Sequence, residues 1–389
     1  MANGMGNGME DVTMTTEQCL TRRDFNKGTA AVLLGAAVPV GCAGGNGDSS
    51  YEALAASTWR HSDVSVHQGP ALLRELVRYA TLAPNSHNTQ PWRFRIEPDR
   101  ITILPDFSRR CPAVDPDDHH LFASLGCATE NLVLAAKAHG LRATISMHGA
   151  ADDAIPIDLE PAPPSDSPQF QAITMRQCTR AEYDGKPVPS DQLGVLEETA
   201  QDEGVAVQLF TDERHLEAIL EYVVAGNTAQ MNDEAFVTEL KDWIRFSEAS
   251  VVAHRDGLYT GSSGNPTLPA EWIGNIVFKL AFTEGAENDK YRNHIRSSAG
   301  VIAFVAAQNT KESWIDVGRC YQRFALQATA FGLRNAFINQ AVEVPEVRAQ
   351  FAEYLGIGSQ RPNLLVRFGY GPKLPRSLRR SIDDVISDA

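Results

Sequence analysis

The chain has 389 residues, of which 43% are hydrophobic and 22% charged, and its formal net charge is −14 at pH 7. This composition excludes a disordered protein and provides enough apolar residues for one large core or two ordinary ones. The acidic balance repels nucleic acid and anionic lipid, so we expect neither as a partner. The six cysteines include no C-x-x-C pair and no histidine is spaced to complete a zinc site, so we predict no metal centre and no disulfide framework.

Residues 1–50 are predicted to be an export signal followed by a flexible leader. Arg22 and Arg23 stand before Phe25, and the apolar run that follows, residues 28–40, is too short and too weakly hydrophobic to span a membrane comfortably. This order of residues resembles the twin-arginine export motif. That route carries folded proteins, which suits a protein that acquires a cofactor before export. We therefore expect a periplasmic or extracytoplasmic protein without a transmembrane segment.

The end of the leader leaves two outcomes open. Cys42 follows a short apolar run and could be the lipid-bearing cysteine of a lipoprotein, although Pro39 stands where that motif usually has leucine. Ordinary cleavage after Ala43 or nearby is equally compatible with the sequence. The mature protein is then either soluble or held by a lipid at its start.

Residues 51–160 are predicted to form a first unit of helices and strands. A helix is expected at Leu72–Leu82, and strands at Trp92–Ile96 and Ile101–Leu104 are expected to form a hairpin around Pro98-Asp99. A Pro-rich linker at residues 161–170 ends this unit.

A repeat relates this unit to the rest of the chain. The segments 126–142 and 318–334 each begin with glycine and end in Gly-Leu-Arg, with the same spacing of 14 residues between the two glycines. Both have apolar residues at helical spacing, and Gly140 and Gly332 suit the C′ position just past a helix. The matches within the two segments favour duplication over two unrelated core helices, so we predict two related halves.

The second half is predicted to occupy residues 171–389. We expect a helix at Ser190–Ala200 with Ser190 as its N-cap, a strand at Ala206–Phe210, and buried strands at residues 301–307 and 363–368. An insertion at about residues 212–290 has no counterpart in the first half; it contains a predicted amphipathic helix, Arg214–Ala225, and a Gly/Ser/Pro-rich run. Long irregular insertions usually serve a site, so we interpret this one as a lid.

A polar loop between two prolines follows the first predicted helix. Five of its side chains can form hydrogen bonds, namely those of Asn85, Ser86, Asn88, Thr89 and Gln90, and Pro84 and Pro91 stiffen the loop. Amide side chains both donate and accept, which suits the pyrimidine edge of a flavin. An ordinary polar loop with helix caps is the alternative that this segment leaves open by itself.

Three segments together carry a resemblance to a known family. Residues 84–92 resemble the Pro-Ser-x-x-Asn-x-Gln-Pro-Trp loop of the FMN-dependent nitroreductase family, although Asn85 replaces the usual serine. Residues 175–180, Met-Arg-Gln-Cys-Thr-Arg, resemble its Arg-rich FMN-binding motif. Residues 368–372 with the arginines that follow resemble its C-terminal basic segment. The resemblance spans about residues 60–150 and 170–389, and it is strongest to the double-domain Acg-like branch.

This resemblance implies a fold and a site. The fold class is α+β and nitroreductase-like, with two fused halves that form an intramolecular pseudo-dimer, and the protein is expected to be a monomer with one complete FMN site. The arginines are expected to bind the phosphate through their forked guanidinium groups, and a solvated tail is the alternative for those near the C-terminus. The implied cofactor-binding residues are Pro84, Asn85, Ser86, Asn88, Gln90, Arg176, Cys178, Arg180, Asn339, Gln340, Arg379 and Arg380, and the sequence does not decide which C-terminal arginine binds the phosphate.

The implied function is that of an FMN-dependent oxidoreductase. Hydride would pass through flavin N5 to a small-molecule electron acceptor such as a nitroaromatic or a quinone; the reductant is unidentified, because soluble nicotinamide cofactors are scarce outside the cytoplasm. The alternatives are a flavin-binding or flavin-sequestering protein with a closed lid and little turnover, and an interaction domain that has lost FMN. No catalytic side chain is predicted, because the cofactor carries the hydride.

One histidine pair invites a different interpretation. His119 and His120 follow the acidic residues Asp115, Asp117 and Asp118, a grouping that could hold a metal. We interpret it as a solvated acidic turn before the helix.

Overall fold

The computed structural model describes residues 50–62, 69–146 and 153–387. The predicted export signal, including Cys42, lies outside the described residues. Among the residues described, no helix is long and apolar enough to cross a membrane.

The first unit is a four-stranded antiparallel sheet covered by helices. The predicted hairpin is confirmed: strand β1 pairs with β2 from Trp92↔Pro105 to Glu97↔Arg100, around the two-residue loop Pro98-Asp99. The strand order is β1-β2-β4-β3. The elements are α1 (Tyr51–Thr58), α2 (Pro70–Thr81), β1 (Trp92–Glu97), β2 (Arg100–Pro105), α3 (His119–Ala138), β3 (Leu141–Ile145) and β4 (Ile155–Pro161).

The second unit contains another four-stranded antiparallel sheet, and its two central strands, β8 and β10, are buried along their whole length. The order is β5-β8-β10-β9. The elements before the insertion are α4 (Pro168–Ala172), α5 (Ser190–Ala200) and β5 (Val205–Phe210). Those after it are β8 (Gly300–Ala306), α11 (Lys311–Ala330), β9 (Arg334–Phe337), α12 (Gln340–Glu343), α13 (Pro345–Tyr354), β10 (Pro362–Gly369) and α14 (Ile382–Val385).

The predicted N-cap of α5 is wrong. Ser190 already has helical geometry, and the N-cap position is held by Pro189, which has no side-chain oxygen to accept a helix N–H. The extent of the helix, Ser190–Ala200, agrees with the prediction.

The two sheets have the same strand order once their strands are matched in chain order. Apart from the insertion between β5 and β8 and the helices α12 and α13 between β9 and β10, each unit runs helix, strand, strand, helix, strand, strand, and β1, β2, β3 and β4 correspond to β5, β8, β9 and β10. Gly140 and Gly332 follow the C-caps of α3 and α11 with φ values of 76° and 79°, the left-handed conformation that glycine adopts without strain. The sequence repeat therefore coincides with a repeat of topology.

Helices α3 and α11 pack against each other through equivalent glycines. A Cβ atom on Gly126 would lie 2.0 Å from the carbonyl oxygen of Ile315, and one on Gly318 would lie 1.9 Å from that of Ala123. The partner residue stands three positions before the equivalent glycine in both cases. The two helices thus cross at corresponding points, where only glycine allows the backbones to approach so closely.

The insertion between β5 and β8 is mostly helical. The predicted helix Arg214–Ala225 lies within the longer α6. The elements are α6 (Glu213–Met231), α7 (Glu234–Trp243), β6 (Ile244–Arg245), α8 (Glu248–His254), β7 (Leu258–Tyr259), α9 (Glu271–Ala281) and α10 (Glu284–Arg296).

Candidate functional site

A cleft of about 560 Å³, counting the space open to solvent, lies where distant parts of the chain meet. Its walls come from the polar loop after α2, the segment before α5, the segment after β10, the turn after β7, and the end of β9. The lining residues are Trp59, Pro84, Asn85, Asn88, Arg176, Gln177, Cys178, Arg180, Leu258, Ser262, Phe337, Pro375, Arg376, Ser377 and Arg379. The structure thus brings together residues that the sequence places in opposite halves.

The polar loop has an unusual backbone. His87, Asn88 and Gln90 have φ values of 46°, 54° and 55°, in the left-handed region that costs a residue with a side chain about 1 kcal/mol or more. Side chains fix this conformation: the Asn85 carboxamide oxygen accepts from the Gln90 backbone N–H at 2.8 Å. Asn88 Nδ2 donates to the carbonyl oxygens of Gly257 and Leu378 at 3.0 and 3.2 Å. Several long-range bonds therefore hold a strained loop at the cleft wall.

Four arginines face the cleft without an acidic partner. Arg176 and Arg379 are almost fully buried, and within the described residues no carboxylate lies at ion-pair distance from Arg176, Arg180, Arg376 or Arg379. Burial first, and then the charge of Arg176, lowers the pKa of Arg379 to about 9. The same two causes, with Arg334 added, lower the pKa of Arg376 to about 10. The lowered pKa values of both arginines indicate that positive charge without nearby negative charge is concentrated at this cleft of an acidic protein.

The four arginines differ in how many of their donors are already used. Arg379 donates to the carbonyl oxygens of Thr81 and Ala83 and to Asn88 Oδ1, at 2.6, 3.1 and 2.8 Å. Arg376 donates to three backbone carbonyls of residues 174–176. By contrast, Arg176 donates through Nη2 to the Leu82 carbonyl oxygen at 2.9 Å but has a buried Nε without a partner, and the guanidinium of Arg180 has no hydrogen-bond acceptor among the described residues. Arg176 and Arg180 therefore have donors available for an anion.

Trp59 is a lining residue that sequence reasoning missed. Its indole lies under the guanidinium groups of Arg376 and Arg379, whose Cζ atoms are 4.8 and 5.0 Å from the ring centroid. Its Nε1 donates to the Ser377 carbonyl oxygen at 2.9 Å. The only signal in the sequence was a single tryptophan in a stretch of otherwise small and polar residues. Its packing on two arginines stabilises the C-terminal segment at the cleft.

The segment that contains Arg176 is fixed against β9. The Thr179 N–H donates to the Asn335 carbonyl oxygen at 2.9 Å, and Tyr321 donates to Asn335 Oδ1 at the same distance. Cys178 Sγ lies 3.7 Å from the Tyr321 hydroxyl. Burial raises the pKa of Tyr321 well above its ordinary value, so the phenol stays protonated beside the cleft.

The insertion contributes to the same site. Leu258 and Ser262 line the cleft, and the turn before β7 is bound to the polar loop. The Gly257 N–H donates to the Asn88 carbonyl oxygen at 3.1 Å, and Gln90 Nε2 donates to that of Arg255 at 2.9 Å. Asp256 also forms ion pairs with Arg109, of the first unit, and with Arg245. The residues of 255–262 therefore connect the insertion to the loop of the first unit.

Five residues implied by the resemblance lie away from the cleft lining: Ser86, Gln90, Asn339, Gln340 and Arg380. Gln90 is fully buried, and its side-chain oxygen accepts from the Arg380 N–H at 2.8 Å, so this pair connects the loop to the C-terminal segment. Asn339 Oδ1 accepts from the Leu365 N–H at 2.9 Å. Gln340, the first residue of α12, donates to the Tyr291 hydroxyl of the insertion, and its backbone lies against Gly226 of α6. In this structure Gln90, Asn339 and Arg380 serve the protein's own hydrogen bonding, whereas the side-chain oxygen of Gln340 is buried without a partner among the described residues.

The interpretation of His119 and His120 as part of a solvated turn is wrong. Asp115, His119 and His120 are 4%, 0% and 7% exposed. The Asp115 carboxylate accepts from the backbone N–H groups of His120 and Leu121, both at 3.0 Å, and so caps α3. The cap is buried because β10 and α11 cover this end of the helix: His119 contacts Asn363 and Trp314.

The fold and the cleft define the class of protein: an α+β protein of two like units with an anion-attracting cleft between loops of both. The profile of the Nitroreductase family matches residues 173–370, just over half of the chain. The chain belongs to the nitroreductase family and is an oxidoreductase of the nitroreductase type.

Two relatives from Mycobacterium tuberculosis span most of the chain. Rv3131, named as a candidate NAD(P)H nitroreductase, is 26% identical over 326 residues, which cover 81% of this chain and 90% of the relative. The protein acg, named in the same way, is 22% identical over 324 residues, covering 81% of this chain and 95% of the relative. The chain is thus similar to Acg-like proteins along both of its units.

Two solved structures are also similar. The FMN-dependent nitroreductase NfnB from Mycobacterium smegmatis, in complex with NADPH, aligns with a TM-score of 0.38 and 14% identity, over 57% of this chain and 98% of NfnB. A nitroreductase with bound FMN from Bacteroides fragilis aligns with a TM-score of 0.34 and 17% identity, over 55% of this chain and 95% of its own. At these scores the alignments do not define equivalent residues.

Proposed function

We propose that the cleft binds FMN and that the protein is an FMN-dependent oxidoreductase. The observation that carries this proposal is the group of four cleft arginines, two of them buried, that have no carboxylate partner in the described part of the chain; two of the four retain unused donors. FMN carries a phosphate with nearly two negative charges, and forked guanidinium donors match phosphate oxygens. The residues present therefore fit a phosphorylated cofactor.

The arginines have two different roles in this proposal. Arg176 and Arg180 bind the phosphate, because their donors are available. Arg376 and Arg379 attract the phosphate by their positive charge. Their own hydrogen bonds hold residues 174–176 and the loop at 81–88 in place. Of the C-terminal arginines, Arg379 is thus assigned to the cleft and Arg380 to the support of the loop.

The remaining walls orient the cofactor and exclude water. The amide-rich loop offers donors and acceptors at Asn85 and Asn88, and Trp59, Leu258 and Phe337 present apolar surface. Bound FMN supplies hydride transfer through its N5 atom to an acceptor such as a nitroaromatic or a quinone. NADPH, with which the M. smegmatis NfnB was crystallised, is the reductant to test first.

We further propose that the two units form an intramolecular pseudo-dimer with one FMN site. The matched strand order and the reciprocal glycine contacts of α3 and α11 support this. The amide loop occurs in the first unit and the Arg-rich segment in the second, so a single chain assembles one such cleft. A monomer with about one flavin per chain is the expected result of a combined mass and absorbance measurement.

The flavin content of the purified protein tests the main proposal. We expect a yellow protein, and we expect the double variant Arg176→Ala with Arg180→Ala to bind FMN about 100-fold or more weakly, since two charge-assisted contacts are lost. The matched control is Arg142→Ala, an exposed arginine of β3 that pairs with Glu160. A colourless protein that does not take up FMN, or full retention of FMN by a folded double variant, would refute the proposal.

A flavin-sequestering protein is the second candidate. It is favoured by the bonds between residues 255–257 and the polar loop, which join the predicted lid to the wall of the cleft. Anaerobic reduction by NADPH followed by reoxidation with a quinone distinguishes the two. Reduction and reoxidation over many cycles identify an enzyme, whereas a bound flavin that NADPH leaves oxidised identifies a flavin holder.

We also propose export by the twin-arginine route. The support is the order of Arg22, Arg23, Phe25 and the apolar run in the sequence. Replacing both arginines by lysine is expected to retain the protein in the cytoplasm, and Cys42→Ala distinguishes a lipid anchor from a soluble product by membrane fractionation. Unchanged extracytoplasmic accumulation of the lysine variant would exclude this route.

A further inference from the structure

Three metal-ligating side chains meet behind the cleft, although they are far apart in the sequence. His87 belongs to the polar loop, Cys111 to the turn region before α3, and Glu239 to α7 of the insertion. One ligand atom from each lies within 4.8 Å of the other two, and His87 Nδ1 lies 3.5 Å from Cys111 Sγ. No role in the proposed flavin site uses them.

The donor set and its spacing match zinc. Imidazole, thiolate and carboxylate are the usual zinc ligands, and the bond lengths of a tetrahedral ion place its nitrogen and sulfur ligands about 3.6 Å apart. The contact between His87 and Cys111 already has this separation. The backbone of His87 belongs to the loop that the side chains of Asn85 and Asn88 hold by hydrogen bonds, so the histidine does not sit on a freely moving segment.

The charge around Cys111 also favours a cation, although the positive charge of Arg180 lies close enough to act on His87. The carboxylates of Glu239, Asp115 and Glu343 all lie near Cys111. Within the described residues none of them pairs with a lysine or arginine; the nearest basic partner is His120, whose Nε2 lies 3.6 Å from Glu343. A divalent cation would offset the negative charge that these carboxylates bring together.

The neighbouring group of Asp115, His119 and His120 has a similar spacing but the wrong proton arrangement. Asn363 Oδ1 accepts from the Ala306 N–H at 2.7 Å, so its Nδ2 must donate to His119 Nε2, at 2.9 Å. The neutral imidazole of His119 then carries its proton on Nδ1, and neither nitrogen is left for a metal. Asp115 is meanwhile engaged as the cap of α3. This group is therefore a hydrogen-bonded structural cluster.

We propose that His87, Cys111 and Glu239 bind one zinc ion, with the fourth position open to water. Binding replaces the proton of the Cys111 thiol, which is released to solvent, by a bond from sulfur to the metal. Glu239 already accepts from the N–H groups of Ala113 and Val114 at 2.9 and 3.1 Å, which hold α7 against the turn that contains Cys111. The ion would add His87 to this contact and so fasten the insertion to the polar loop, one residue from Asn88 of the cleft.

Zinc binding by the tag-free mature protein tests the proposal. After treatment with a chelator, the protein is titrated with Zn²⁺ against a competing indicator, and bound metal is counted by elemental analysis. We expect one zinc per chain and about one proton released. Affinity should fall about 100-fold in Cys111→Ala and in His87→Gln. Cys320→Ala, which removes a buried thiol of α11 distant from the cluster, is the control and should bind zinc as the wild type does.

The readout does not depend on flavin or on activity. X-ray absorption at the zinc edge should show one sulfur ligand in the wild type and none in Cys111→Ala. Thermal unfolding of each metal-free variant shows whether it is folded; if Cys111→Ala is not, His87→Gln gives the same comparison. Failure to bind zinc at micromolar free metal, or equal affinity of the wild type and a folded ligand variant, would overturn the assignment.

Discussion

At the scale of single residues, the cleft contains two kinds of arginine: those whose N–H groups are bonded to the protein's own backbone, and those with N–H groups available to a ligand. Arg379 and Arg376 use their donors on backbone carbonyls, whereas Arg176 keeps its Nε free beside one bond to Leu82, and Arg180 has no acceptor among the described residues. The sequence predicted that an arginine cluster would serve a phosphate, but it could not divide the cluster in this way. Which guanidinium N–H groups are already bonded depends on the backbone carbonyls that the folded loops place beside them. The spacing of the arginines in the sequence does not show where those carbonyls lie.

Asn88 gives the first prediction at this scale. Its side chain makes three buried hydrogen bonds, to Gly257, Leu378 and Arg379, and its backbone has a φ of 54°. We expect Asn88→Ala to lower the free energy of unfolding by about 2–4 kcal/mol, since the partners lose their bonds and alanine is strained in this conformation. Asn88→Gly should cost about 1 kcal/mol less, because only the hydrogen bonds are lost. Urea denaturation checks both values, and equal losses would mean that the backbone is unstrained.

His294 gives a prediction about pH. Burial first, and then Arg367, lowers the pKa of His294 to about 3 from its ordinary 6.5, so the unfolded chain binds the proton more tightly than the folded one. Stability is therefore complete above pH 6.5 and is lost as the pH falls towards 3. Between pH 7 and pH 5 this histidine should account for about 2 kcal/mol of lost unfolding free energy. His294→Gln should flatten the dependence by that amount in denaturation at the two pH values, and an unchanged slope would show that His294 titrates normally.

At the scale of secondary-structure elements, prediction from the sequence succeeded where a pattern is long and regular. The hairpin strands lie within one residue of their predicted bounds, and the repeat helices end two residues before Gly140 and Gly332, although each begins seven residues before the predicted repeat. Short polar features were harder to predict. Whether Ser190 caps its helix depends on one backbone dihedral angle, and the burial of the start of α3 depends on which elements cover it. The hydrogen-bond partner of Gln340 comes from the insertion, far away in the sequence. Local sequence does not encode these contacts.

The crossing of α3 and α11 gives the element-scale prediction. Alanine at Gly318 would place its Cβ 1.9 Å from the Ala123 carbonyl oxygen, a backbone atom that cannot move away without separating the helices. We expect Gly318→Ala to cost about 3 kcal/mol or more of unfolding free energy through overpacking, and Gly126→Ala to behave alike. Gly194→Ala in α5, where a Cβ meets open space, is the control. It should stabilise the protein by up to about 1 kcal/mol, since alanine is the better helix former. Denaturant unfolding that ranks all three variants equally would exclude a tight crossing.

At the scale of the whole molecule, an acidic protein concentrates buried positive charge at one cleft. The net charge of −14 contrasts with four arginines that face the cleft without carboxylate partners among the described residues. Their mutual repulsion and desolvation destabilise the protein when no anion is bound. A bound phosphorylated ligand offsets both the repulsion between the arginines and the cost of their desolvation. Ligand binding and folding stability should therefore be strongly coupled.

This coupling can be measured by comparing FMN with riboflavin, which lacks the phosphate. The flavin-free protein should gain about 2.7 kcal/mol of unfolding free energy at an FMN concentration 100 times its dissociation constant, and much less at the same concentration of riboflavin. Arg180→Gln should remove most of the difference, because it deletes a donor that only the phosphate uses. Lys186→Gln, at an exposed lysine that pairs with Asp184, should preserve it. Equal stabilisation of the wild type by FMN and riboflavin would show that the arginine cluster does not bind the phosphate, even if the flavin ring occupies the cleft.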